Sequence, residues 1–171
     1  MTAFPRVLHE WAAESRPGNI QLTAANADLV PRVLPVAPTM WRELVKLAAY
    51  AGARFEGDSP VYAFPVIFTG AEANNLAAAL ARPLDAALAG TAVVVPRTFD
   101  QQTEQPAAQT ETGSAIWGTY PPPTGTDWTW WLIGNAPRLR AFIAWLQQSG
   151  GFTVSGTPPQ PPNPPAPRFV P

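Results

Sequence analysis

Cysteine is absent from this chain, which removes disulfides, thiolate nucleophiles and Cys-ligated zinc together. Histidine occurs once, at His9, and lysine once, at Lys46. A histidine-based metal site would need carboxylates for all its other ligands, and none of the standard zinc spacings is present. As a general base, His9 would need an orienting carboxylate and a nucleophile, and its neighbour Glu10 points to a different part of a helix. Charged residues make up only 13% of the chain, against about 25% in ordinary soluble domains. The ten arginines and Lys46 are spread without a cluster and the net charge is −1, so nucleic acid finds no electrostatic footprint. No glycine series has the spacing or lysine of a phosphate-binding loop. Uninterrupted apolar runs of 18 residues are also missing, and the start, MTAFPRVLHEWAAE, has no basic segment leading into an apolar one. The expectation is a soluble chain made in the cytoplasm, without membrane, nucleic-acid, metal or cofactor chemistry.

What the chain has in quantity is proline and tryptophan: 22 and seven residues among 171, within a composition that is 46% hydrophobic. That length suits one domain with a substantial core. Few charges beside many apolar residues imply either a large core or apolar surface that another chain covers. The prolines concentrate in Pro158 to Pro171 (PPQPPNPPAPRFVP), which can neither continue a helix nor donate to a ladder. As a polyproline II rod it would reach roughly 43 Å at about 3.1 Å per residue, with its carbonyls available to partners. It ends on Arg168-Phe169-Val170, a cation and an aromatic after a stiff spacer, and it holds the P-x-x-P spacing of Pro161 and Pro164.

The elements read in order as follows. Val7, Leu8, Trp11 and Ala12 have helical spacing. Asn19 to Ala24 alternates as a short strand, and prolines 31, 35 and 38 make the next stretch extended and irregular. Thr39 is placed to cap a helix over 39–51 with Met40, Leu44 and Leu47 inward, stopped by Gly52. Val61 to Phe68 reads as a strand covered on both sides, although Pro65 costs it one ladder donor and hints at an edge or bulge. Thr69 and Glu72 form a capping box that opens a helix over 70–89, with Leu76, Leu80, Leu84 and Leu88 in series and Pro83 inside it. Thr91 to Pro96 is β-branched enough for a strand, Asp100 to Thr112 has little to bury and reads as a mobile loop, and Ser114 to Tyr120 and Trp128 to Ile133 read as strands. Asn135 is placed to cap a helix over 136–149 with Leu139, Phe142, Ile143 and Leu146 inward, and Phe152 to Val154 adds a last strand.

This order predicts a single α+β domain over 1–157, in a split β-α-β, ferredoxin-like arrangement. Residues 1–55 would form an N-terminal helical extension, 61–155 the sheet-and-helix core with a mobile loop at 100–113, and 158–171 an extended proline-rich tail. Trp117, Tyr120, Trp128, Trp130 and Trp131 form the densest aromatic group. Strand alternation would put Trp128 and Trp130 on one face and Trp131 on the other. A core built around indoles competes there with a protein interface, for which Trp and Tyr are preferred anchors.

The leading expectation is a non-enzymatic interaction or assembly component with no catalytic residues. It would dock on a protein partner or on itself through an aromatic sheet surface (Trp117, Trp128, Trp130) and through the tail (Pro161, Pro164, Arg168, Phe169), as in a virus particle or another large complex. Two other classes compete with it. One is a small-ligand or carbohydrate-binding module using exposed indoles, and the other a small hydrolase built from dispersed carboxylates such as Glu56, Asp58, Asp85 and Asp127.

Overall fold

A computed structural model describes residues 6–13, 19–54, 64–95 and 126–156. In chain order the elements are helix α1 (Arg6–Ala13), strands β1 (Ile20–Ala24) and β2 (Val33–Val36), helix α2 (Pro38–Tyr50), strand β3 (Val66–Thr69), helices α3 (Gly70–Leu88), α4 (Thr129–Gly134) and α5 (Ala136–Gln148), and strand β4 (Gly151–Ser155). The four strands form one sheet in the order β2-β1-β4-β3, with every neighbouring pair antiparallel. The fold is therefore α+β.

The sheet departs from the expected ferredoxin-like order. The short strand expected at 19–24 is present as β1, but residues 1–55 are not a separate helical extension, since 19–36 form the hairpin β1–β2 and supply half of the described sheet. The prolines at 31 and 35 do not prevent β2, because Pro35 lies on an edge strand, where a missing donor costs no ladder bond. Trp128 to Ile133, expected as a strand, is helical. Thr91 to Pro96 contributes, among the described residues, a single bridge between Val94 and Asp127. The strand expected at 61–68 begins at Val66. The expected strand at 114–120, the loop at 100–113 and the tail at 158–171 lie outside the described residues.

The register explains the core. Val66, Val154, Leu22 and Leu34 stand side by side across the sheet, and Phe68, Phe152 and Ala24 form the row beside them. This face is covered by helices. Phe68 and Phe152 stack at 4.5 Å, Trp41 from α2 stands perpendicular to both, and Trp145 from α5 packs on Phe152 at 6.1 Å. Phe142 continues the aromatic chain to Trp11 on α1 at 5.4 Å. Both outer indoles also satisfy their N–H groups: Trp145 donates to the Pro31 carbonyl at 2.8 Å and Trp11 to that of Pro35. The helices are thereby tied to the β1–β2 hairpin by hydrogen bonds as well as by burial.

Helix α3 starts where the capping box places it, with the Glu72 N–H donating to the Thr69 hydroxyl and the Thr69 N–H to the Glu72 carboxylate at 2.8 Å. Pro83 sits inside this one continuous helix, and Leu76, Leu80 and Leu84 are buried while Leu88 is exposed. For α2 and α5 the expected spans are close but the caps differ. Ala37 occupies the N-cap of α2, with Pro38 entering the first turn, so Thr39 is inside the helix. Asn135 precedes α5 without capping it, because its side-chain amide donates back to the Trp131 carbonyl at 2.9 Å. The last strand requires glycine at its entry. Gly151 has φ +108°, and a Cβ there would meet the Phe68 carbonyl oxygen at 2.6 Å.

Candidate functional site

Helix α4 is short, and its placement decides what the tryptophan cluster presents. The Asp127 carboxylate accepts the Thr129 N–H at 2.9 Å and starts the helix, while the Thr129 hydroxyl accepts the Val93 N–H at 2.9 Å and the Trp128 N–H donates to the Val93 carbonyl at 2.9 Å. These bonds to Thr129 hold the Asp127 carboxyl below its ordinary pKa, the backbone bond contributing most. With the start anchored, helical periodicity replaces alternation. Trp128, Trp131 and Leu132 point inward at i, i+3 and i+4, and the indoles of Trp128 and Trp131 meet edge to face at 5.1 Å. Trp130 and Ile133 share the opposite side of the turn.

Among the sequence-designated partner residues, Trp128 is 1% exposed and belongs to the core, which corrects its assignment to a surface. Trp130 is 72% exposed. The expected face-sharing of Trp128 and Trp130 fails for the same reason as the expected strand: a short apolar run fits both periods, and here it is helical, with Asp127 accepting the Thr129 N–H at its start. Trp117, Pro161, Pro164, Arg168 and Phe169 lie outside the described residues. Ile133 is exposed beside Trp130, and Val94 is exposed in the bridge to Asp127 at the start of the same helix. Five other tryptophans, Trp11, Trp41, Trp128, Trp131 and Trp145, are buried. Among the described residues α4 thus presents the Trp130 indole to solvent with Ile133 three residues along.

A second group escaped sequence reasoning. On α2, Arg42 and Glu43 are buried, 6% and 3% exposed, and Glu43 lies 3.5 Å from the Arg42 guanidinium and 3.8 Å from the Lys46 ammonium. Two cations thus share one carboxylate in a little-solvated place. The signal was available in the spacing Arg42-Glu43-x-x-Lys46 between the inward residues Met40, Leu44 and Leu47, but an apolar stripe normally implies a solvated opposite face. Such a group positions a helix and is costly to break.

Among the described residues the dispersed ionisable side chains do not converge. His9 is exposed on α1, next to the exposed Arg6–Glu10 pair at 2.8 Å. Glu72 and Asp127 are engaged at helix starts, and Asp85 is exposed on α3. Glu56, Asp58, Asp100, Glu104 and Glu111 lie outside the described residues. Among the described residues no three His, Asp or Glu side chains are grouped to hold a metal ion, and no helix is long and apolar enough to cross a membrane. In comparisons with known proteins, no family model matches the chain, and no curated protein or solved structure matches it.

Proposed function

We propose that this chain is a non-enzymatic interaction component that docks on a protein partner through the α4 surface centred on Trp130, with the proline-rich tail at 158–171 as a second attachment. The supporting observation is the contrast within one helix: Trp128 and Trp131 are enclosed, whereas Trp130 stands 72% exposed with Ile133 beside it. Leaving an indole in water forgoes a large burial gain, and an indole among smaller apolar residues is the usual centre of an interface. Trp130 itself sits on a helix rather than on the sheet. A sugar platform would use several coplanar exposed indoles, and among the described residues one is exposed.

The test compares the intact chain, Trp130→Ala and a version ending at Gly156 for binding to a protein that co-purifies reciprocally with the intact chain. Trp130→Ala should weaken binding by at least about 2 kcal/mol, roughly thirtyfold in Kd, without shifting the unfolding midpoint. Removing the tail should weaken binding separately. Full-strength binding by both variants would overturn the proposal, and binding to glycans that Trp130→Ala abolishes would assign the indole to a ligand module instead.

A further inference from the structure

Each edge of the sheet leaves the outward N–H and C=O of one residue unpaired among the described residues, and the one on β3 is the more exposed. The Ala25 N–H donates to the Gly151 carbonyl at 2.8 Å, one step beyond the pair Ala24 and Phe152. Along an interior strand, alternate residues send their N–H and C=O groups to opposite neighbours. Gly151, Thr153 and Ser155 therefore face β1, and Phe152 and Val154 face β3, where their partners are Phe68 and Val66. On β3 the groups pointing away from the sheet belong to Ile67 and Thr69. The Thr69 N–H is engaged by the Glu72 carboxylate. The outer edge of β3 thus presents the N–H and C=O of Ile67, unpaired among the described residues, beneath a side chain that is 72% exposed.

By the same count the β2 edge presents the N–H and C=O of Val33, unpaired among the described residues beneath a side chain that is 38% exposed, and it is closed at Pro35. The Ala24 N–H donates to the Arg32 carbonyl at 2.9 Å, so Leu34 and Val36 face β1 while Val33 and Pro35 face outward. Pro35 has no N–H, and its carbonyl accepts the Trp11 indole.

We infer that the β3 edge pairs with the β3 edge of a second copy of this chain, antiparallel and about a two-fold axis through Ile67. The groups on offer are self-complementary, since the N–H and C=O of one Ile67 meet the C=O and N–H of the other. The side-chain parity also agrees. Centring the axis on residue 67 sets Ile67 against its mate on the face without the aromatic core and Val66 against Phe68 on the helix-covered face, so both cores continue across the junction. A shift by one residue would set Ile67 opposite Phe68 and invert one sheet relative to the other. An unprotected apolar edge strand is the usual template for such pairing. The ladder is only about three residues long, so the dimer is weak and depends on concentration. This interface does not involve Trp130 and stands independently of the proposed docking surface.

The full chain should show concentration-dependent dimerisation in sedimentation experiments, and Ile67→Lys should raise the dimer dissociation constant about tenfold or more by opposing like charges. Because the chain has no cysteine, Ile67→Cys carries a single thiol. Its mate would lie about 5.5 Å away between Cα atoms, within disulfide reach, so mild oxidation should yield a covalent dimer. Thr153→Cys, one strand further in, would lie roughly 14 Å from its mate at about 4.8 Å per strand and should remain monomeric on oxidation. Unfolding midpoints should be retained, because both side chains lie off the core face, and Trp130→Ala should dimerise normally. A chain that stays monomeric at every concentration overturns the inference. So does a dimer that survives Ile67→Lys, or one in which Thr153→Cys cross-links as readily as Ile67→Cys.

Discussion

The two faces of the sheet are built on the same strands and share one register, yet they carry opposite chemistry. On one face Phe68, Phe152 and Ala24 stand beside Val66, Val154, Leu22 and Leu34, beneath Trp41 and Trp145. On the other, Ile67, Thr153, Thr23 and Val33 form one row and Ser155, Gln21 and Pro35 the next. The interior strands β1 and β4 place Gln, Thr and Ser on that second face, and exposed apolar side chains appear only on the edge strands, at Ile67 and Val33. Folding stability is concentrated on the first face. The second holds the capacity for association, confined to an edge.

The sharpest way to break this contrast is to cut neighbouring residues of β4. Phe152→Ala removes a ring that touches Phe68, Trp41 and Trp145, and should cost about 3–5 kcal/mol in denaturant unfolding. Thr153→Ala, one residue along, should cost about 1 kcal/mol or less. Similar losses at the two positions would show that the outer face is as structural as the inner one. Gly151→Ala tests the entry to the same strand, where a positive φ and the Phe68 carbonyl leave no room for a Cβ. A loss of about 1–3 kcal/mol from backbone strain, with a further cost from the 2.6 Å approach, should appear as a lowered unfolding midpoint.

Two smaller effects sharpen the comparison, because they come from exposed residues that act through hydrogen bonds and not through burial. Thr69→Ala removes one half of the capping box at the end of β3 and should cost about 1 kcal/mol, whereas Thr69→Ser should retain most of it. At Asp127 the folded state lowers the carboxyl pKa through its bonds to Thr129. The stabilisation is therefore fully present above the unfolded value near 3.9 and is lost as pH falls through the lower folded value. Asp127→Asn should flatten that acid limb of the stability profile. An unchanged limb, followed by the pH dependence of the unfolding midpoint, would show that Asp127 does not stabilise the start of the helix.

Local signals were legible where a few adjacent residues carried the whole decision. The Thr69–Glu72 box set the start of α3, and the stripes at Met40, Leu44 and Leu47 and at Leu139, Phe142, Ile143 and Leu146 set the buried sides of α2 and α5. The exposed indole was within reach but for the wrong reason. Trp130 was named with Trp128 on a strand face, whereas a helical turn buries one and exposes the other. Ile67 passed as a residue of a strand covered on both sides, although Pro65 within VYAFPVIF hinted at the edge position that β3 takes.

The sequence by itself determined the positions of α1, α2, α3 and α5, the α+β class and the absence of cysteine chemistry, since propensity, capping and composition act over a few bonds or over the whole chain at once. Only the tertiary structure decided that the run after Asp127 is helical, that residues 19–36 pair into the sheet, that Arg42, Glu43 and Lys46 share a buried place, and which strands lie at the edges. Each of these depends on pairings between residues far apart in the chain. The free energy of such a pairing comes from the partner's backbone groups and packed surface, and a local window of sequence contains neither.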